Sequence, residues 1–159
     1  MLAYLFWHCP RLGVDRDAYE DAQRAFHQAL QIDSACFHLA TLPFDAGDGY
    51  EDWYLVDGWE ALGELNATAV DAGRRGSHDQ AASLAGKGWG AVYALLRGDP
   101  VVPGGTEWLD KPRNETTEQF SASLPHDALW RRQLVLGPAP EFCAATRPST
   151  GRRAVWPRP

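Results

Sequence analysis

The stretch that most constrains the fold is residues 2–9, LAYLFWHC. Its length and aromatic content, with Pro10 unable to donate to a ladder beyond it, predict a β-strand. Alternation puts Leu2, Tyr4, Phe6 and His8 on one side and Ala3, Leu5, Trp7 and Cys9 on the other. Both sides are apolar, so both must be covered. Helices can cover one face of a sheet, and the other then needs a second sheet or a partner subunit.

A second stretch, residues 51–70 (EDWYLVDGWEALGELNATAV), runs from a strand into a helix. Trp53, Tyr54, Leu55 and Val56 suit a strand. Asp57 followed by Glu60 has the spacing of a capping box, and Leu62, Leu65, Asn66, Ala69 and Val70 recur every three or four residues, giving one mostly apolar helix face. Before it, Asp15 opens a helix to about Gln31, with Ala18, Ala22, Ala25, Phe26, Ala29 and Leu30 as the expected buried stripe and Arg16, Glu20, Asp21 and Arg24 outside. Residues 34–44 read as a strand, and residues 45–49 (DAGDG) as the turn of a hairpin.

Further on, Ser77 and Gln80 repeat the capping-box spacing and predict a helix to about Arg97, weakened by Gly86, Gly88 and Gly90 at up to about 1 kcal/mol each. Residues 107–113 read as a brief extended piece, 117–124 as a short helix and 131–136 as the last clear strand, stopped by residues 137–140 (GPAP). The expected organisation is one domain over residues 1–145 and a mobile Pro/Arg-rich tail over 146–159.

A chain of 159 residues can bury roughly two thirds of its unfolded surface in a single core. A net charge of −6 with scattered basic residues argues against a nucleic-acid partner. Cys9, Cys36 and Cys143 are an odd number without a CxxC pair, so buried free thiols are expected rather than a disulfide framework or a zinc knuckle. The apolar start has no basic leader and is too short to span a bilayer, which predicts a cytoplasmic protein without a membrane partner.

The order strand, helix, strand, strand, helix, strand is that of an α+β ferredoxin-like fold, an antiparallel sheet with helices on one face, here with an inserted helix before the last strands. With LAYLFWHC, the hairpin strands CFHLATLPF and EDWYLV, and the helix entry DGWEALGELN, the chain resembles the dimeric α+β barrel superfamily, including its EthD-like proteins and cofactorless monooxygenases. The resemblance implies a homodimer of face-to-face sheets with a cavity in each subunit.

No catalytic motif of known mechanism occurs. His8, His38 and Tyr54 are the candidate catalytic residues, because an imidazole or phenol in an apolar cavity can move a proton or hold a substrate oxygen. Tyr4, Trp7, Trp53, Lys111 and Arg113 are candidate ligand-binding residues, the aromatics as cavity walls and the two cations as receivers of a carboxylate or phenolate. The competing readings are packed histidines, core or dimer-interface aromatics, and a solvated loop for Lys111 and Arg113. A metal site would need a third ligand beside a histidine. Glu51, Asp52 and Cys36 are nearest, none at diagnostic spacing, so no metal ligands are assigned and no cofactor is predicted, with haem or a metal left open. The function expected is binding of a small aromatic molecule or cofactorless oxygenase or isomerase chemistry on it; the alternatives are a non-catalytic homodimeric module and a haem or metal-binding barrel.

Overall fold

The apolar segment at the N-terminus forms β1 (Leu2–Pro10), the centre of the sheet, with β3 (Gly49–Val56) on one side and β4 (Ala85–Arg97) on the other. The computed structural model describes residues 1–71, 75–134 and 138–157. The remaining strands are β2 (Ser34–Leu39), β5 (Gly105–Leu109), β6 (Leu129–Arg132), β7 (Phe142–Thr146) and β8 (Arg152–Trp156). All eight pair antiparallel in one curled sheet, in the order β5-β7-β6-β4-β1-β3-β2-β8. Among the described residues there are four helices: α1 (Arg16–Leu30), α2 (Trp59–Ala69), α3 (Arg75–Leu84) and α4 (Thr117–Ser123). None is long and apolar enough to cross a membrane.

Both faces of β1 are covered, and both covers belong to this chain. The first three helices lie over the face carrying Leu2, Tyr4, Phe6 and His8. On the opposite face the sheet curls until Trp108 of β5 meets Trp7 of β1, four strands away, with ring centroids 5.2 Å apart. Ala3, Leu5, Trp7, Trp53, Tyr93, Trp130 and Cys143 form the main core there. The cover expected from a second sheet or a partner subunit is supplied by β5, β6 and β7.

That core is built around one acid. Glu51 is fully buried and accepts hydrogen bonds from Trp7 Nε1 (3.0 Å) and Trp53 Nε1 (2.7 Å), while Arg152 of β8 pairs with it at 2.9 Å. Arg152 also donates to the Pro103 carbonyl at 2.6 Å and lies over the Phe37 ring, so one side chain ties β8 to the loop before β5. A buried charge survives only when paired and hydrogen-bonded, and this one is both.

Several expectations are corrected. The helix expected over residues 77–97 is α3 followed by the long strand β4. Gly88 and Gly90 are not weak points of a helix but clearance for rings: a Cβ at Gly88 would lie 2.3 Å from the Phe6 ring, and one at Gly90 2.9 Å from the Tyr4 hydroxyl. Consequently the strand beside β1 is β4, and residues 129–132 pair with β4 further out. Residues 135 and 136 of the expected last strand, and Gly137 of the stop after it, lie outside the described residues. The expected mobile tail holds a strand: β8 pairs with β2, and Val155 is buried. Asp57 does not cap α2, whose N-cap is Gly58 without a side-chain hydrogen bond. Asp15 does cap α1, accepting from Ala18 N at 2.9 Å.

The face of α1 turned to the sheet is also not the predicted alanine stripe. Tyr19, Glu20, Ala22, Gln23, His27 and Leu30 are buried, while Ala18 and Ala25 are exposed. The sheet beneath carries polar groups that outweigh apolar periodicity in setting the helix rotation. Glu20 receives Arg153 of β8 and accepts from the Tyr50 hydroxyl at 3.1 Å. Burial would raise its carboxyl, but Arg153 and Tyr50 hold it below the usual range.

At the far end, the Arg97 guanidinium donates to the carbonyls of Ser121 (2.5 Å), Leu124 (2.8 Å) and His126 (2.9 and 3.0 Å), fixing the segment after α4. Arg97→Ala is expected to lower stability by about 3 kcal/mol, read as a lower urea midpoint at unchanged m-value, because several carbonyls lose a charged donor together.

Candidate functional site

Three neighbouring strands stack their even-numbered residues into rows on the helix-covered face. Register pairs Tyr4, Tyr54 and Ser34 in one row, Phe6, Asp52 and Cys36 in the next, and His8, Tyr50 and His38 in the third. Asp52 therefore sits in the middle of a nearly unbroken aromatic surface. From above, α1 brings Tyr19, Gln23 and His27, four residues apart and so on one helix face, down onto these rows.

The result is a buried polar chain. The Tyr19 hydroxyl lies 2.5 Å from His8 Nδ1, and His8 Nε2 lies 3.1 Å from Asp52 Oδ2. Asp52 Oδ1 lies 3.2 Å from His27 Nε2, and His27 Nδ1 lies 3.0 Å from Ser34 Oγ. Tyr54 adds its hydroxyl to Asp52 Oδ2 at 2.8 Å. His8 and His27 are 1% exposed and Asp52 2%. The contacts of Asp52 with the two rings have ion-pair distance without hydrogen-bond alignment, and His8 Nε2 and Asp52 Oδ1 have no aligned partner.

Burial alone would raise the Asp52 carboxyl; the His8 and His27 rings overcome it and hold the carboxyl well below the usual carboxylate range. Burial, and then the Asp52 charge, push the Cys36 thiol and the Tyr54 hydroxyl well up, and Tyr4 and Tyr19 in the same direction. An ionised Asp52 is thus surrounded by groups kept protonated.

Rings enclose this acid. His27 stacks on Tyr54 with an interplanar angle of 2°, Tyr54 on Tyr4, Tyr4 on Phe6, Phe6 on His8, and His8 on Tyr50 at 10°. The outer surface of this belt, at Tyr54, Tyr4 and Phe6, is the floor of a cavity of about 590 Å³. Leu62, Leu65 and Ala69 of α2 form its roof, Phe26 and Leu30 of α1 one wall, and Val92 of β4 part of the floor. Polar groups are few: Asn66 and His78 also line it, and Trp59, 56% exposed, stands in its wall. The apolar lining and the volume are those of small-molecule pockets.

The expected site residues fall into four groups. Tyr4 and Tyr54 line the cavity, and His8 lies directly behind the Phe6 ring. His38 is at the opposite edge, 3.1 Å from Asp48 and 3.0 Å from Arg16, away from the cavity. Trp7 and Trp53 belong to the other face of the sheet and serve Glu51. Lys111 donates to the carbonyls of Pro112 and Glu115, and Arg113 is exposed in the same turn, so neither cation reaches the cavity. Sequence reasoning missed His27 and Tyr19, which the expected buried stripe of α1 left out. The one available signal was their four-residue spacing with Gln23.

Comparison with protein-family models, with curated proteins and with solved structures finds no match for the chain.

Proposed function

We propose that the protein binds a small, flat, largely apolar molecule, an aromatic compound with one or two polar substituents, between α2 and the ring floor of Tyr4, Tyr54 and Phe6. The observation that carries this reading is a cavity of about 590 Å³ whose floor is three coplanar-leaning rings and whose polar lining residues, besides the two tyrosines of the floor, are Trp59, Asn66 and His78. Planar ligands gain area and offset stacking on such a floor. The charged Asp52 network lies behind the rings and acts by holding them in place, so binding is favoured over proton chemistry on the ligand.

In this reading β4-β1-β3-β2 with its helices is a ferredoxin-like unit. The layer that a second subunit brings in the dimeric α+β barrels is carried by the chain's own β5, β6 and β7, and the site is complete within one chain.

Gly63 provides the test. It lines the cavity, and a Cβ there meets nothing within 4 Å. Gly63→Phe is expected to fill the space while leaving stability unchanged or raised by up to about 0.5 kcal/mol, since glycine is the poorer helix former. Calorimetric titration with 2-naphthol should show binding to the wild-type protein and at least tenfold weaker binding to Gly63→Phe. Equal affinity for the two proteins would remove the cavity from the account.

A further inference from the structure

We infer that His8, Cys36 and Asp52 form a binding site for a single zinc-like divalent transition-metal ion, buried behind the ring floor. His8 Nε2, Cys36 Sγ and a carboxylate oxygen of Asp52 lie within 4.8 Å of one another, and all three residues are buried. Imidazole nitrogen, thiolate sulfur and carboxylate oxygen are each zinc ligands, and the thiolate selects against magnesium and calcium. The residues come from three different strands, β1, β2 and β3, so the site forms only when the sheet registers.

Four observations point to an ion rather than to three packed side chains. The first is the buried His8 Nε2, which faces Asp52 Oδ2 at 3.1 Å without hydrogen-bond alignment. An imidazole nitrogen and a carboxylate oxygen at this separation are held together by a proton or by a cation. With bonds of about 2.0–2.1 Å at the tetrahedral angle, the nitrogen and oxygen ligands of zinc are roughly 3.3 Å apart, close to this separation. With a zinc–sulfur bond of about 2.3 Å, the Cys36 sulfur, within 4.8 Å of the other two ligand atoms, completes the triangle by a side-chain adjustment.

The second is an outer layer of the kind that orients metal ligands. The Tyr19 hydroxyl holds His8 Nδ1 at 2.5 Å, the Tyr54 hydroxyl bonds Asp52 Oδ2 at 2.8 Å, and His27 stands at Asp52 Oδ1, itself fixed by Ser34. The third is charge: a divalent ion with one carboxylate and one thiolate sums to zero, the least costly state for a centre closed to water. The thiol proton leaves to solvent as the sulfur binds. The fourth is chemical variety, since nitrogen, sulfur and oxygen converge here from chain positions far apart in sequence. Three protein ligands leave one coordination position open.

The full-length protein expressed in cobalt-supplemented minimal medium and purified without chelator tests this directly. Expected is one equivalent of cobalt with a thiolate-to-cobalt charge-transfer band in the near ultraviolet. Cys36→Ser should lose that band, Cys9→Ser should keep it, and His8→Gln should bind cobalt at least tenfold more weakly. Wild-type protein without stoichiometric cobalt and without the band would overturn the inference, whether or not the variants fold. So would a band that survives in folded Cys36→Ser.

Discussion

A chain ending at Arg147 is expected to lose about 5 kcal/mol or more, a large share of the 5–15 kcal/mol that holds a domain of this size together. Three losses coincide. The edge of β2 loses its partner strand, Val155 leaves the core, and Glu51 keeps its burial while losing Arg152. Breaking a buried pair from one side costs about 3–5 kcal/mol, because the remaining charge is uncompensated. Arg152→Ala alone should therefore cost about 3 kcal/mol, and Glu51→Gln should return 1–3 kcal/mol of it in the double variant, about the coupling seen between residues in contact. Chemical denaturation of the four proteins checks this. A truncated chain with wild-type stability would show that β8 is dispensable.

Asp52→Asn is the second large effect, expected at about 3 kcal/mol and, at roughly 2–4 °C per kcal/mol for a chain of this size, a fall in melting temperature of roughly 6–12 °C. An amide cannot balance the two rings that face it, and the Tyr54 hydroxyl loses a charged acceptor. The same residue sets an acid limit. Its folded-state carboxyl is held below the unfolded value of about 3.9. The stability it contributes is therefore fully present above about pH 4 and is lost as the pH falls below it through the folded-state value. Melting curves from pH 6 to pH 3 should drop steeply for the wild-type protein at the acid end and more shallowly for Asp52→Asn. Parallel profiles would mean that the carboxylate is not the group whose protonation weakens the fold.

Much of the N-terminal half of the fold was legible. The strand of residues 2–9 announced that both its faces are covered, Asp15 marked the start of α1, and DAGDG marked the hairpin between β2 and β3. What the sequence concealed has physical reasons. Local pattern treats glycine as a helix breaker or a bulge, whereas Gly88 and Gly90 are small because the Phe6 and Tyr4 rings of the neighbouring strand occupy their side-chain space. β8 was hidden by its Arg and Pro content, which reads as solvated tail until Glu51 and Glu20 are seen waiting for Arg152 and Arg153. The rotation of α1 was misread for the same reason: apolar periodicity assumes an apolar floor, and the floor under this helix contains Asp52. The acid itself was visible only as a possible third ligand, because the groups that make it a centre, His8 and His27, lie 44 and 25 positions away in the chain. A capping-box spacing at Asp57 and Glu60 is a local coincidence that the chain does not use.

The most direct test of the central claim is a crystal structure of the protein grown with 2-naphthol. Electron density is expected for a flat ring system between α2 and the floor of Tyr4, Tyr54 and Phe6, with its hydroxyl toward Asn66, His78 or the Tyr4 hydroxyl and the Asp52 chain unchanged behind it. A structure with α2 packed directly onto the ring floor, the space filled by Leu62, Leu65 and Phe26, and no ligand density would contradict it.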